Sequence, residues 1–123
     1  MYAIGVDIGG TKIAAGVVDE DGVILAKTRR KTAADSSDSV DQAVVDVCLE
    51  LMATHEVGAI GLAAPGFISS DQATVLFTPN LPWRDHPLRE RAAASLGDVP
   101  IVVANAVTSL LAGSILVMKI RNG

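Results

Sequence analysis

Aromatic side chains are scarce, with one Trp, one Tyr and two Phe among 123 residues. Half of the residues are apolar all the same, so the core has to be built from Ala, Val, Ile and Leu. Cysteine occurs once, which excludes an internal disulfide framework and a cysteine-only zinc site. Basic residues are outnumbered, 10 Lys and Arg against 14 Asp and Glu, for a net charge of −4. A partner held by phosphate contacts along a nucleic acid needs a basic face, so no nucleic-acid partner is expected. No basic region precedes the opening Met1-Tyr2-Ala3-Ile4-Gly5, which reads as a strand rather than a signal peptide. A reduced, cytoplasmic setting is the default expectation. The length fits one domain, since two cores would be hard to fill.

One long uncharged run is present. Ile101 to Met118 holds 18 residues without a charge, at the lower limit for a membrane span. Asn105, Thr108, Ser109 and Ser114 interrupt it and Gly113 weakens it. The run is therefore read as a buried strand over Val99–Val103 and a helix over Val107–Ile120, with a membrane tail as the alternative.

Periodicity organises the rest. Tyr2–Ile8, Lys12–Val18 and Val23–Lys31 read as three strands in an antiparallel meander, with Asp19-Glu20-Asp21-Gly22 as one turn. Asp35–Ser39 is a polar break with several possible N-caps. Val40, Ala43, Val44, Val47, Cys48 and Leu51 then recur at helical spacing to about Thr54. Cys48 lies on that apolar stripe, where burial rather than reactivity is expected. Val57–Ala63 follows as a strand, and strand-helix-strand order implies a parallel addition to the sheet. Thr74–Phe77 reads as one more strand, Thr78–Trp83 as a loop and Leu88–Leu96 as a short helix. His55 and His86 read as end-of-helix or surface side chains, without the spacing of zinc ligands.

Asp7-Ile8-Gly9-Gly10-Thr11-Lys12 is the first run that could carry chemistry. Glycines let backbone N–H groups approach phosphate oxygens with no Cβ in the way. Thr11 adds a hydroxyl, Lys12 a positive charge, and Asp7 a carboxylate suited to hydrated magnesium. On spacing alone two readings stand: a phosphate cradle, and a Gly-Gly hairpin with an incidental Lys. Neither the P-loop spacing nor G-x-G-x-x-G is present, and a strand follows instead of a helix.

Gly5-Val6-Asp7-Ile8-Gly9-Gly10-Thr11-Lys12 resembles the first phosphate motif of the ROK family of sugar kinases and repressors. Gly61-Leu62-Ala63-Ala64-Pro65-Gly66-Phe67 resembles that family's strand and Pro-Gly turn at the sugar cleft. Thr78-Pro79-Asn80-Leu81-Pro82-Trp83, with Arg84-Asp85-His86-Pro87-Leu88-Arg89, is similar to the Pro-Asn-Leu loop of actinobacterial-type glucokinases. These segments cover residues 1 to about 103 in order. The resemblance implies an α/β, ribonuclease-H-like lobe of the actin/hexokinase-like ATPases. Its mixed sheet would run from an antiparallel meander into parallel strands, flanked by helices. It implies ATP and magnesium as cofactors, held by Asp7, Gly9, Gly10, Thr11 and Lys12. It implies glucose or a related hexose as substrate, held by Gly66, Asn80 and Asn105.

Two departures qualify that picture. In the family, the strand after the short helix leads into Glu-Asn-Asp-Ala-Asn, whose Asp takes the proton from the sugar's 6-hydroxyl. Here Ala104-Asn105-Ala106-Val107-Thr108 stands there, so Ala106 occupies the base position and residues 104–123 diverge. The chain is also less than half the length of the family's kinases, without the second lobe, its Gly-Thr-Gly motif or its Cys-rich zinc site. The expectation is a truncated lobe, inactive by itself, in one domain over residues 1–123. The alternative is a non-catalytic sugar-binding or regulatory remnant. An uncovered cleft face makes self-association an expectation as well.

Overall fold

In the computed structural model of the chain, residues 2–32, 35–64, 66–78 and 81–105 are described. Alternating apolar residues build the meander: β1 (Tyr2–Ile8) buries Ile4, Val6 and Ile8, and β2 (Lys12–Val18) buries Ile13, Ala15 and Val17 on the same face. β3 (Ile24–Lys31) pairs antiparallel with β2 as the edge strand. It starts one residue later than expected. The Asp19 carboxylate accepts the N–H groups of Asp21 and Val23, both at 2.9 Å, so Val23 still belongs to the turn.

α1 (Ser37–Met52) is capped by Ser36, whose hydroxyl accepts the Ser39 N–H at 3.1 Å. Its stripe of Val40, Val44, Val47, Cys48 and Leu51 is buried against the sheet. The crossover leads into β4 (Val57–Ala64), parallel to β1. β8 (Ile101–Asn105) adds parallel to β4, giving the order β3-β2-β1-β4-β8. β8 begins after Pro100, which has no N–H to give a ladder but whose carbonyl accepts the Ile60 N–H at 2.9 Å.

The strand expected near Thr74–Phe77 lies in a second sheet. β5 (Phe67–Ile68), β6 (Val75–Phe77) and β7 (Arg84–His86) form it in that order, antiparallel. α2 (Leu88–Leu96) follows and buries Leu88, Ala92 and Leu96. Both described helices contribute to one core with Ile4, Val6, Ile60, Leu62 and Val103, so they share one face of the large sheet. The opposite face carries small residues, with Ala14 and Val18 packed beside Ala3 and Ile24. The reading of His86 as a surface side chain is corrected by the structure. It is 6% exposed, stacked on the fully buried Trp83, and bonded through Nε2 to Asp41 of α1 at 2.8 Å. No helix among the described residues is long and apolar enough to cross a membrane. The expected helix over 107–120, Asn80 and Ala106 lie outside the described residues.

Candidate functional site

Parallel strands bring their carboxyl ends to one edge of the sheet, where ligands bind in open α/β folds. Here Asp7 of β1 lies in register with Ala63 of β4, and Ala63 with Ala104 of β8. Two strand spacings put Asp7 about 10 Å from Ala104. On the near side of this edge sits the Gly9–Thr11 turn. The Gly9 N–H donates to the Lys12 carbonyl at 3.0 Å, and a Cβ on Gly9 would lie 2.9 Å from that oxygen. Gly9 is therefore a residue of the turn itself, and its N–H is used there. The amides of Gly10 and Thr11 donate to no backbone carbonyl among the described residues. Thr32, which the sequence did not single out, clasps the turn: its N–H donates to the Thr11 carbonyl at 3.0 Å and its hydroxyl to the Gly9 carbonyl at 2.8 Å.

A cleft of about 520 Å³ opens on the far side, lined by Gly66, Phe67, Ile68, Ser69, Gln72, Val103, Ala104 and Asn105. The Asn105 side-chain amide donates to the Gly66 carbonyl, which ties the end of β8 to the turn after β4. Gly66 has φ +114°, and a Cβ there would sit 2.1 Å from the Phe77 carbonyl oxygen. Glycine is required at this position by the close approach of β6. Gln72, itself left-handed at φ 57°, accepts the Val103 N–H on its carbonyl at 2.9 Å and so fastens the small sheet to β8. Of the sequence-derived sugar residues, Gly66 and Asn105 are thus in direct contact.

The loop that carries Asn80 is anchored at both described ends. The Thr78 hydroxyl donates to the Leu81 carbonyl at 3.2 Å. One Arg84 nitrogen, Nη1, donates to the carbonyls of Thr78, Leu81 and Trp83 at 3.1, 3.4 and 2.7 Å. The guanidinium also lies 4.3 Å from the centroid of the Phe77 ring. Asp85, at φ 47°, turns the chain so that Arg84 folds over the loop while His86 points into the core. Behind this, burial holds the Asp41 carboxyl above the ordinary carboxylate range, although His86 and the Arg91 guanidinium pull it down. Sequence reasoning missed Asp41 and His86 because no local pattern announces a contact across 45 positions, and Arg84 because its bonds go to main-chain carbonyls, which every residue carries. Burial pushes the Cys48 thiol up to about 12, as its place on the stripe led one to expect.

The mixed sheet with its edge of parallel strand ends, the glycine turn and the facing cleft are those of a lobe of the actin/hexokinase-like fold. The chain belongs to the ROK family, whose profile matches residues 3–118. That match continues past residue 103 and takes in Asn105 and Ala106. Glucokinase of Streptomyces coelicolor is 43% identical over 102 residues, which is 83% of this chain and 32% of that protein. The ROK family glucokinase of Streptomyces griseus, solved with glucose and AMPPNP, superposes with a TM-score of 0.82 at 42% identity. That alignment covers 86% of this chain and 33% of the other. N-acetylmannosamine kinase of Yersinia pseudotuberculosis is 33% identical over 103 residues, 83% of this chain and 34% of that protein. The chain spans about a third of the length of these relatives.

Proposed function

We infer that this chain is the phosphate- and hexose-binding lobe of a glucokinase-type sugar kinase, the family's reaction being phosphoryl transfer from ATP to the 6-hydroxyl of glucose. The observation that carries the reading is the shared edge of the sheet. Asp7 and the glycine turn stand there beside a cleft in which Asn105 and Gly66 are bonded. Phosphoryl transfer asks a protein mainly for positioning and for neutralising charge. The free amides of the turn, Thr11 and Lys12 suit phosphate oxygens. Asp7 suits magnesium, which is held by one or two carboxylates and by phosphate oxygens and waters. When bound, the metal would neutralise charge on the transferred phosphoryl group. Asn80 and Asn105 supply amides for hexose hydroxyls, and the glucose and AMPPNP of the Streptomyces griseus complex support both ligands.

This sequence has a methyl group, Ala106, where the family's resemblance places the general base. Loss of a positioned base costs about 10²–10⁴-fold in rate. The proposal is therefore binding without turnover for these 123 residues. Calorimetric titration with glucose should give a saturable signal in the millimolar range, and a coupled assay for hexose phosphate should stay at background. Silence in the titration removes the hexose site, and turnover above background removes the role given to Ala106. The exposed Phe67, 70% accessible, offers a surface for self-association; sedimentation of a strict monomer at high concentration would exclude it.

A further inference from the structure

The edge strand β3 carries four of the chain's ten Lys and Arg residues, Lys27, Arg29, Arg30 and Lys31, in a protein of net charge −4. Arg30 is accounted for, since it bonds to Glu50 of α1 at 3.3 Å. The others alternate with it and lie on the opposite face. Register puts Lys31 directly across from Lys12, and Arg29 across from Ala14, which in turn pairs with Asp7. Like charges facing each other in an antiparallel ladder stand about 5 Å apart at Cβ and repel. Lys12, Arg29 and Lys31 make no ion pair among the described residues. Charges on an edge strand can serve to blunt it against pairing with other chains. That accounts for cations on β3, and it does not account for Lys12, which is on the inner strand and faces Lys31.

An anion between the two lysines removes the repulsion. The position is built for one. Thr32 fastens the end of β3 to the Gly9 and Thr11 carbonyls, so Lys31 is held beside the turn whose Gly10 and Thr11 amides have no backbone acceptor among the described residues. Lys31 and Arg29 are two residues apart, about 7 Å along the strand. We propose that Lys12, Lys31 and Arg29 form a track that runs from the glycine turn along the sheet edge. It holds the outer phosphates of an oligophosphate ligand. The track rests on the reading of the turn as a phosphate site and adds Lys31 and Arg29 to it. A nucleoside triphosphate and an inorganic oligophosphate present the same chemistry to these side chains.

The test is titration of the whole chain with ATP and, separately, with inorganic tripolyphosphate, from about 20 mM salt upward so that screening is varied. Lys31→Gln and Arg29→Gln should each weaken binding by about tenfold at low salt and make it less salt-dependent. Arg30→Gln removes the same charge from the same strand on the other face, and it should leave affinity unchanged. A further readout separates binding from structure: Lys31→Gln without ligand should unfold at equal or higher urea than the parent, because a like-charge pair has been relieved. Weakening with both ligands supports a track that reads phosphate only. Weakening confined to ATP or to tripolyphosphate supports it and assigns the source. Equal affinity in Lys31→Gln, an equal loss in Arg30→Gln, or no binding to either ligand at low salt overturns it. Thr11→Ala then distinguishes the two levels. If it weakens ATP while Lys31→Gln does not, the turn stands as a phosphate site and the track falls; if neither matters, both fall.

Discussion

Replacing Gly66 by Ala isolates the contact that joins the small sheet to the cleft. The new Cβ would lie 2.1 Å from the Phe77 carbonyl oxygen and 3.1 Å from its carbon, and Cβ atoms do not approach backbone within 3.0 Å. The strands must therefore part by about 0.9 Å, the difference between 3.0 and 2.1 Å. That movement strains the β5–β6 pairing at Phe67 and Phe77 and the bond from Asn105 to the Gly66 carbonyl. An L-residue forced to so positive a φ costs about 1–3 kcal/mol, and each weakened hydrogen bond about 0.5–1.5 kcal/mol more. The expected loss is about 2–6 kcal/mol, a large part of the 5–15 kcal/mol that holds a typical domain. Two other glycines calibrate it. Gly97→Ala, at φ +81° and ψ −148° with nothing within 4 Å, meets backbone strain only, about 1–3 kcal/mol. Gly9→Ala, with the Lys12 oxygen at 2.9 Å and no positive φ, meets the contact only, about 1–2 kcal/mol. Urea unfolding followed by the emission of Trp83, the chain's one Trp and fully buried, measures all three. Equal losses in Gly66→Ala and Gly97→Ala would refute the argument, because the close approach of the Phe77 carbonyl would then carry no energy.

Further outcomes are expected at Asp41, His86, Cys48 and Arg84. The raised Asp41 carboxyl means that the native state binds more protons than the unfolded chain between the ordinary carboxylate pKa and the raised one. Its contribution is full below the ordinary value and is lost as pH rises through the raised one; Asp41→Asn should flatten that slope in urea midpoints measured across acid pH. At neutral pH Asp41→Asn should cost under about 1 kcal/mol because its side-chain oxygen can still bond His86, whereas His86→Ala, which strands Asp41 and bares Trp83, should cost about 2–4 kcal/mol and red-shift the Trp83 emission. Cys48, buried and with its thiol pushed up to about 12, should react with a thiol reagent only at the rate of unfolding; fast labelling of the native chain would contradict its burial. Arg84→Gln removes the guanidinium that gathers the Thr78, Leu81 and Trp83 carbonyls. Amide exchange at Thr78, Leu81 and Trp83 should accelerate about tenfold or more, and unchanged protection would deny Arg84 that role.

The long elements were legible because their causes are local. Short apolar runs bounded by turn residues made β1, β2 and β4, and apolar residues three and four apart made α1, with Cys48 on its inner stripe. Asp-Gly at 21–22 marked the turn between β2 and β3, and the Asp7–Lys12 run marked the glycine turn between β1 and β2. The small sheet was not legible beyond its middle strand. Strands of two and three residues are too short to show a period, and they exist because β6 supplies partners on both sides.

The sequence by itself determined which face of each long element is apolar, where the backbone must turn tightly, and which family motifs stand in which order. Tertiary structure decided what those residues meet. Gly66 needs to be glycine because Phe77, eleven positions on, brings its carbonyl against it. His86 leaves the surface because α1 offers Asp41 from 45 positions away. Lys12 faces Lys31 because β2 and β3 pair in one register and not the next. A local pattern records the preference of one segment for water or for the core; the register and spacing between segments arise only when several such faces are packed together.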